Sequence, residues 1–389
     1  MLKFDIEKTD GLARVGVIHT PHGDIYTPAF VGAATRATVK ALTMKEMKEL
    51  GSEAILANTY HLLLAPGVDL IEKAGGVSEF SGWNGPTFTD SGGFQIFSLG
   101  QDFNDKTKRK SSLNMKNKLK ISEEGVKFSS YLNGDKLEMS PEISMRAQWK
   151  IGADVHMAFD HLAKSENYED MKLAMARTHR WLDRCILEHK KLCQNAQENN
   201  RPEQYLYAVI QGGTFNDLRA ESARYASEKD VDGFGIGGVF TANGMEEMLK
   251  TVNNILPENK PRHLLGMGEE PLDLFIGAEF GCDTFDCVGP TRMARNGALY
   301  TLDGRININN AKYKADFTPV MENCDCECCK NHTKAYLHHL FKTDEITAKV
   351  LASIHNEHFV VQTVKNIRTS LLDGSFKDYK NEFLGRYYK

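Results

Sequence analysis

The hydrophobic pattern of the chain alternates short apolar runs with longer stretches of helical periodicity. The short runs are rich in β-branched and aromatic residues, which favours buried strands. Between most of them the apolar positions have the spacing of helices that cover one face of a sheet. The predicted strands comprise residues 28–33, 53–59, 87–89, 154–159, 205–210, 233–236, 263–266 and 284–288.

Helix start signals support this alternation. Thr43 is placed to cap a helix over 44–50, and Ser140 followed by Pro141 predicts a helix that runs to Lys150. Repeated strand and helix units of this kind predict an α/β fold, a (β/α)8 TIM barrel. A doubly wound sheet is the alternative, because periodicity alone does not prove that a sheet closes.

Two parts of the chain depart from the simple repeat. Residues 127–139 predict an inserted β-hairpin that turns at Asn133-Gly134. The basic segment 106–120 precedes it and is interpreted as a solvated loop or, alternatively, as a flap that contacts phosphates. Beyond Asp303 the repeat stops, and helical runs follow at 333–342, 345–355 and 359–372. We therefore expect a catalytic barrel domain at 1–303 and a C-terminal subdomain at 304–389.

Composition and charge limit the function only loosely. The formal net charge of −4 neither indicates nor excludes nucleic-acid binding, since a local basic face is enough for phosphate contacts. No apolar stretch is long enough to span a bilayer, so no membrane partner is expected. The first five residues are too polar to begin a signal peptide, and the expected location is therefore a reducing cytoplasm.

A dense cysteine cluster begins the C-terminal region. Four cysteines lie between 324 and 329, and His355 follows downstream. In a chain with no secretory leader, this combination is typical of a closed structural zinc site and not of disulfides. Cysteine spacing leaves open whether Cys328 or Cys329 is the spare thiol. Other histidines also compete as ligands: His332, His338, His339 and His358.

Polar residues and glycine pairs follow several predicted strands, at the end of the barrel where active sites form. The polar residues are Asp90, Asp160, Gln211 and Asp286. Two carboxylates can support displacement at a sugar anomeric carbon, one as nucleophile and the other as proton donor. A further carboxylate with a carboxamide can recognise a purine edge, and glycines let a planar base approach the backbone. Spacing alone would equally suit a glycoside hydrolase.

Several motifs resemble those of the bacterial tRNA-guanine transglycosylases. They are NTYHL at 58–62, FTDSGGFQ at 88–95, VIQGG at 209–213, FDCV at 285–288, PTRMARNG at 290–297 and AYLHHL at 335–340. The resemblance implies a (β/α)8 barrel with a zinc subdomain and a homodimer. It also implies a pentosyltransferase of queuosine biosynthesis, which exchanges guanine at the wobble position of tRNA anticodons for a deazaguanine base.

The resemblance implies catalytic and base-binding roles motif by motif. Asp286 matches the nucleophile that attacks C1′ of the target nucleoside and forms a covalent ribosyl ester, and Asp90 matches the general acid/base. Three further residues match those that recognise the base: Asp160, Gln211 and Gly238. The family sandwiches the base between an aromatic ring and a methionine. Phe94 occupies the first position, Leu265 stands where the methionine is usual, and Met267, two residues on, could supply part of that face.

The remaining implied contacts concern tRNA and metal. Arg292 and Arg295 match residues that contact anticodon-loop nucleotides. The implied ligands of one structural zinc ion per chain are Cys324, Cys326, Cys329 and His355. This chain departs from the usual bacterial pattern after Asp160 and in residues 239–243, where a glutamate is missing. Because Leu162 and Phe240 do not open room for the cyclopentenediol of queuine, preQ1 is the expected incoming base.

Overall fold

The computed structural model describes residues 1–99, 119–163, 167–237 and 242–389. Most of the basic segment 106–120 lies outside these residues, as does Gly238. Eight parallel strands form a closed barrel, which confirms the predicted fold class. In chain order they are β4 (Ala29–Ala33), β5 (Ala54–Ala57), β6 (Thr87–Thr89), β10 (Val155–Met157), β11 (Tyr205–Ile210), β12 (Gly233–Ile236), β13 (Arg262–Leu264) and β14 (Thr284–Cys287).

The chain divides into two compact units. The first comprises residues 1–2, 57–80 and 87–260, and the second comprises 3–56, 81–86 and 261–389. The first contains β6, β10, β11 and β12; the second contains β4, most of β5, β13 and β14. The predicted division into a barrel domain at 1–303 and a zinc-binding subdomain at 304–389 stays a prediction.

Eight of the described helices lie in the first unit. They are α2 (Thr59–Leu64), α3 (Val68–Lys73), α4 (Val77–Ser81, whose last residue belongs to the second unit), α5 (Gly93–Leu99), α6 (Pro141–Ile151), α7 (Tyr168–Glu198), α8 (Asn216–Ser227) and α9 (Ala242–Asn253). Ser140 caps α6 as predicted, since its hydroxyl accepts from the Ile143 N–H at 3.2 Å. Gly152 ends the helix in the left-handed region, at φ 73°.

The inserted hairpin is present in the first unit. It belongs to a small antiparallel sheet of β7 (Lys120–Ile121), β8 (Val126–Ser129) and β9 (Lys136–Met139). Strands β8 and β9 pair with Val126 opposite Met139, and both of these side chains are fully buried. The turn contains Asn133 and Gly134, and the glycine adopts φ 81°, a conformation that favours a residue without Cβ.

The second unit begins with a three-stranded antiparallel sheet that the hydrophobic pattern does not predict. Its strands are β1 (Lys3–Asp10), β2 (Ala13–Thr20) and β3 (Gly23–Thr27). Helix α1 (Met44–Glu49) follows β4 and starts at the predicted cap, where Thr43 and Glu46 form a capping box. Arg14 on β2 makes a buried ion pair with Asp283, with Nε 2.8 Å from Oδ1.

The C-terminal part of the second unit is largely helical. It contains α10 (Pro271–Glu279), α11 (Gly289–Arg295), the hairpin of β15 (Ala298–Thr301) and β16 (Gly304–Asn307), a 3-10 turn (Ala311–Tyr313), α12 (Glu327–Asn331), α13 (Lys334–Lys342), α14 (Ile346–Asp373) and α15 (Phe376–Tyr387). The helical runs predicted at 345–355 and 359–372 are therefore one helix and not two. No described helix is both long and apolar enough to cross a membrane.

Candidate active site and metal centre

Asp90 follows β6 directly and is held by the start of α2. Its Oδ1 accepts from the backbone N–H groups of Thr59 and Gly92, at 2.9 and 3.1 Å. Its Oδ2 accepts from the Asn58 amide, and Asn58 also caps α2 through the His61 N–H. The carboxylate is half-buried. Donors on both oxygens fix the orientation of Asp90, which is the arrangement expected of a preorganised acid/base group.

Asp160 lies three residues beyond β10 and forms a second polar group with Ser91 and Gln211. The Ser91 hydroxyl donates to Oδ1 at 3.0 Å, and the Gln211 amide donates to Oδ2 at 2.6 Å. Burial raises the pKa of the Asp160 carboxyl, and these two hydrogen bonds oppose that rise. Gln211 Oε1 is buried and has no hydrogen-bond partner among the described residues. A ligand with an N–H donor would satisfy it.

Arg219 supports the loops that follow β11 and β12. Its buried guanidinium donates to the carbonyl oxygens of Ile210 at 2.9 Å, Gly213 at 2.9 Å and Gly237 at 2.6 Å. Burial lowers the pKa of Arg219 to about 9. The contacts fix the backbone on either side of Gln211 and immediately before Gly238, which itself lies outside the described residues. Nothing in the sequence marks Arg219, because an arginine near the start of a helix is usually exposed.

Glycines let the backbone near Asp160 and Arg219 pack closely. A Cβ on Gly93 would lie 3.0 Å from the Asp160 carbonyl oxygen, and one on Gly212 would lie 2.7 Å from the Arg219 nitrogen. Gly212 also has φ 137°, which disfavours other residues. Close packing of the backbone therefore accounts for Gly93 and Gly212. Next to Gly93, the Phe94 side chain is 59% exposed, which leaves an aromatic face accessible to a ligand.

Asp286 belongs to the second unit, on β14. Its Oδ1 accepts from the Gly266 N–H at 2.9 Å and lies 3.1 Å from Nε2 of His263. Gly266 adopts φ 71° after β13, and that turn directs its N–H to the carboxylate. Leu265 and Met267, on either side of this glycine, are both half-buried. In the sequence, His263 is only the first residue of a predicted strand, and nothing there indicates its contact with Asp286.

Arg292 and Arg295 are on α11, shortly after Asp286. The Arg292 guanidinium is exposed and pairs with the carboxylate of Glu269. Partial burial, and then the charge of Arg292, lower the pKa of Arg295. Asn356 ties the start of this helix to β15 by donating to the carbonyl oxygens of Pro290 and Ala298, each at 3.0 Å. The two arginines therefore form a small basic patch on a fixed helix.

The cysteine cluster of the second unit has the geometry of a metal site. One ligand atom from each of four residues lies within 4.8 Å of all the others: Cys324, Cys326, Cys329 and His355. His355 Nδ1 lies 3.9, 3.6 and 3.3 Å from the sulfurs of Cys324, Cys326 and Cys329. Sulfur and nitrogen on a tetrahedral zinc ion are about 3.5 Å apart. The donor set and its spacing therefore fit zinc.

The second nitrogen of His355 supports the same interpretation. Nε2 lies 2.7 Å from the Tyr300 carbonyl oxygen and must donate to it. Nδ1 then directs a lone pair at the three sulfurs, as a metal-binding histidine does. Cys328 is fully buried but is not a member of the cluster. Two competing histidines have other partners: His338 contacts the Ile308 carbonyl, and His358 pairs with Asp325.

A closed barrel with carboxylates at its strand ends defines a (β/α)8-barrel enzyme suited to glycosyl transfer. The profile of the family described as Queuine tRNA-ribosyltransferase matches residues 9–389. The chain belongs to this family, which is a family of pentosyltransferases, and the predicted resemblance is confirmed.

Curated relatives agree over nearly the whole chain. A queuine tRNA-ribosyltransferase of Herpetosiphon aurantiacus is 42% identical over 388 residues, which cover 99% of this chain and 92% of that protein. The protein of the same name from Macrococcus caseolyticus is 43% identical over 380 residues, covering 96% and 93%. The one from Bacillus subtilis is 41% identical over 379 residues, again covering 96% and 93%.

Proposed function

We propose that the protein exchanges guanine at the wobble position of tRNA anticodons for a deazaguanine base, through a covalent ester between Asp286 and ribose. The observation that carries the proposal is the family match over residues 9–389, which includes both strand-end carboxylates in their motifs. Family membership favours base exchange in tRNA over hydrolysis of small glycosides, which strand-end carboxylates alone would also suit.

In the proposed reaction, Asp286 attacks C1′ of the target nucleotide as the bond from C1′ to guanine N9 breaks. Asp90 supplies a proton to the departing guanine and later removes one from the incoming base. The incoming base then attacks C1′ and releases the carboxylate. The half-buried Asp90, fixed by donors on both oxygens, suits a group that must hold one orientation through both steps.

Asp160, Gln211 and Gly238 are proposed to recognise the base. A guanine edge offers an N–H and an amino group beside one carbonyl oxygen. Asp160 can accept from the two donors, and such donors favour the ionised carboxylate that burial disfavours. The Gln211 amide already donates to Asp160, and its buried Oε1 has no partner among the residues that the structure describes. Phe94 and Leu265, with Met267 as a possible contributor, are proposed to stack on the two faces of the ring.

Replacing Asp160 with asparagine tests base recognition. We expect kcat/KM for the incoming base to fall about 10- to 100-fold, because one donor of the base would face the donor end of the amide. The midpoint of thermal unfolding is expected to change by only a few degrees, because the new oxygen still accepts from Ser91 and the Gln211 amide can flip so that Oε1 accepts from the new NH2. Steady-state kinetics with labelled guanine measure the change.

Asp154 offers a matched control at the other end of β10. It is 1% exposed, and its Oδ2 accepts from the Thr87 N–H at 2.8 Å. Asp154→Asn is expected to lower thermal stability and to leave kcat/KM for the base near the wild-type value. A wild-type kcat/KM in Asp160→Asn would remove Asp160 from the recognition site.

Arg292 and Arg295 are proposed to contact the anticodon loop. Base exchange requires the target nucleotide to leave its stack, which costs less in a single-stranded loop than in a duplex. An exposed guanidinium beside the reacting strand end can bind phosphate or base edges there. In the free protein Arg292 pairs with Glu269, so RNA binding would exchange one anionic partner for another.

The cysteine cluster is proposed to bind one structural zinc ion. Four protein ligands complete a tetrahedral zinc site and leave no open position for chemistry, so the residues would shape the C-terminal region only. Homodimerisation is also proposed, on family grounds alone. A cytoplasmic location is proposed because the cysteines have the pattern of a metal site and not of a disulfide framework.

The incoming base is proposed to be preQ1. Leu162, two residues after Asp160, is a large buried side chain, and residues 239–243 contain Phe240. The bulk of Leu162 leaves little space for the cyclopentenediol of queuine, and the large ring of Phe240, which lies outside the described residues, favours the same choice from the sequence alone. When tRNA is incubated with equal concentrations of preQ1 and queuine, the preQ1 nucleoside is expected to exceed the queuosine product by about 10-fold or more.

Mass spectrometry of the nuclease-digested tRNA measures that ratio. Control reactions with each base alone show that both product nucleosides are detected, and they calibrate the mass-spectrometric signal of each. Predominance of queuosine in the competition would contradict the assignment of preQ1.

A further inference from the structure

His263 contacts Asp286 from the neighbouring barrel strand. Strands β13 and β14 are parallel, with His263 opposite Thr284. Side chains two residues apart on a strand share a face, so Thr284 and Asp286 both face the same side as His263. The imidazole is fully buried, with Nδ1 2.8 Å from Thr284 Oγ1 and Nε2 3.1 Å from Asp286 Oδ1.

The direction of the hydrogen bond between His263 and Asp286 follows from the chemistry of the carboxylate. An ionised carboxylate only accepts, so Nε2 of His263 donates whether the ring is neutral or charged. Thr284 engages the other nitrogen and thereby holds the ring plane. The Gly266 N–H is a second donor to the same oxygen, at 2.9 Å. Among the described residues, the Asp286 carboxylate therefore accepts both of its hydrogen bonds at Oδ1.

We propose that His263, held by Thr284, is a positioning residue that fixes Oδ1 of Asp286 and leaves Oδ2 as the oxygen that attacks C1′. This inference rests on the proposed role of Asp286 as nucleophile. Two donors occupy the favourable acceptor directions of Oδ1. Oδ2 then has the lone pair that can form the new bond, and the carboxylate cannot rotate away from the reacting carbon.

The same contacts serve both halves of the reaction. In the first, the C1′–Oδ2 bond forms while the C1′–N9 bond breaks, and its electron pair leaves with guanine as Asp90 delivers a proton. Oδ1 becomes the carbonyl oxygen of the ester and still accepts from His263 and Gly266. In the second, the incoming base attacks C1′, and the electron pair of the C1′–Oδ2 bond returns to the carboxylate, whose charge both donors stabilise.

Two substitutions at His263 separate donation from packing. His263→Leu fills similar space without a donor, and we expect kcat to fall about 10- to 100-fold while KM for tRNA and base changes less than about 2-fold. His263→Gln places an amide N–H on a side chain of similar reach, and it is expected to recover most of that loss. Thr284→Val keeps the shape but removes the hydroxyl, with an expected fall in kcat of about 3- to 10-fold.

His156 provides a matched control in the first unit. It is a fully buried histidine of strand β10, with Nε2 2.5 Å from Gln204 Oε1. His156→Leu is expected to lower thermal stability while kcat, measured at a temperature where the variant is folded, stays near wild type. A loss of kcat in His263→Leu that matched the loss in His156→Leu would show a structural effect and overturn the proposal.

The experiment consists of single-turnover quenching with a guanine-containing tRNA, followed by steady-state exchange of labelled guanine. A wild-type rate of adduct formation in folded His263→Leu overturns the proposal, as does a His263→Gln variant as slow as His263→Leu. If His263→Leu does not fold, the other two variants decide. A wild-type rate of adduct formation in Thr284→Val, or a fall of about 10-fold or more in His263→Gln, then overturns the proposal. Asp286→Asn is measured in parallel: full activity there would remove the proposed role of Asp286 as nucleophile, on which this inference rests, independently of His263.

Discussion

Asp286→Asn is expected to lower the rate of guanine exchange by about 10⁴-fold or more, because an amide oxygen is a poor nucleophile and cannot form a neutral ester. The replacement keeps the shape of the side chain, and its oxygen can still accept from the Gly266 N–H. Incorporation of labelled guanine into a substrate tRNA measures the loss. The midpoint of thermal unfolding is expected to stay within a few degrees of wild type, and the affinity for tRNA within about 2-fold.

Asp283 supplies the control for this substitution. It lies three residues before Asp286, is fully buried and pairs with Arg14. Asp283→Asn breaks a buried ion pair and is expected to cost about 3 kcal/mol of stability, yet to retain turnover at a permissive temperature. Substantial exchange activity in Asp286→Asn would contradict the assignment of the nucleophile, whatever the behaviour of the control.

Loss of the metal centre is expected to have the largest effect on stability. Cys326→Ser removes one thiolate from a closed four-ligand site, and zinc content is expected to fall from about one per chain to near zero. The midpoint of thermal unfolding is expected to fall by about 10 °C or more, since metal binding contributes directly to folding free energy. Metal analysis and calorimetry of the same sample measure both changes.

Cys328 makes this prediction specific to the ligand set. Cys328 is a buried neighbour of Cys326 that does not belong to the cluster. Cys328→Ser is expected to keep about one zinc ion per chain and to lose only about 1–2 kcal/mol from the burial of a hydroxyl. Equal zinc loss in the two variants, or full stability of Cys326→Ser without metal, would contradict the proposed site.

The barrel was predictable because its strands are strongly apolar and bounded by helix caps. Their ends were less predictable. The run 53–59 stops as a strand at Ala57, because the Asn58 side chain caps α2 and Thr59 begins that helix. Likewise β13 ends at Leu264, so Leu265 and Gly266 lie in the loop that contacts Asp286. A polar residue after an apolar run thus does not tell at which residue strand pairing stops.

Other elements escaped prediction for identifiable reasons. Strand β1 is mostly exposed and charged, with the sequence KFDIEKTD, so its apolar pattern is weak. Helix α14 continues through 356–358 because no proline or glycine interrupts it, and Asn356 uses its amide for tertiary contacts instead of a turn.

The contacts that orient the site were the least predictable part. Motif comparison identifies Asp90 and Asp286, but not the residues that hold them. Asn58, at the start of α2, donates to Asp90, and His263 contacts Asp286 at 3.1 Å from the neighbouring strand. Such partners depend on the fold, whereas a strand-end carboxylate is visible in the chain itself.

The covalent bond between Asp286 and ribose is the central claim, and trapping it is the most direct test. The protein is mixed with a guanine-containing tRNA without an incoming base, denatured, digested with nuclease and protease, and analysed by mass spectrometry. We predict a ribonucleotide attached to the peptide that contains Asp286 in the wild-type protein and in Asp283→Asn. Absence of that adduct from the wild-type protein under conditions of active exchange, or its persistence in Asp286→Asn, would contradict the account.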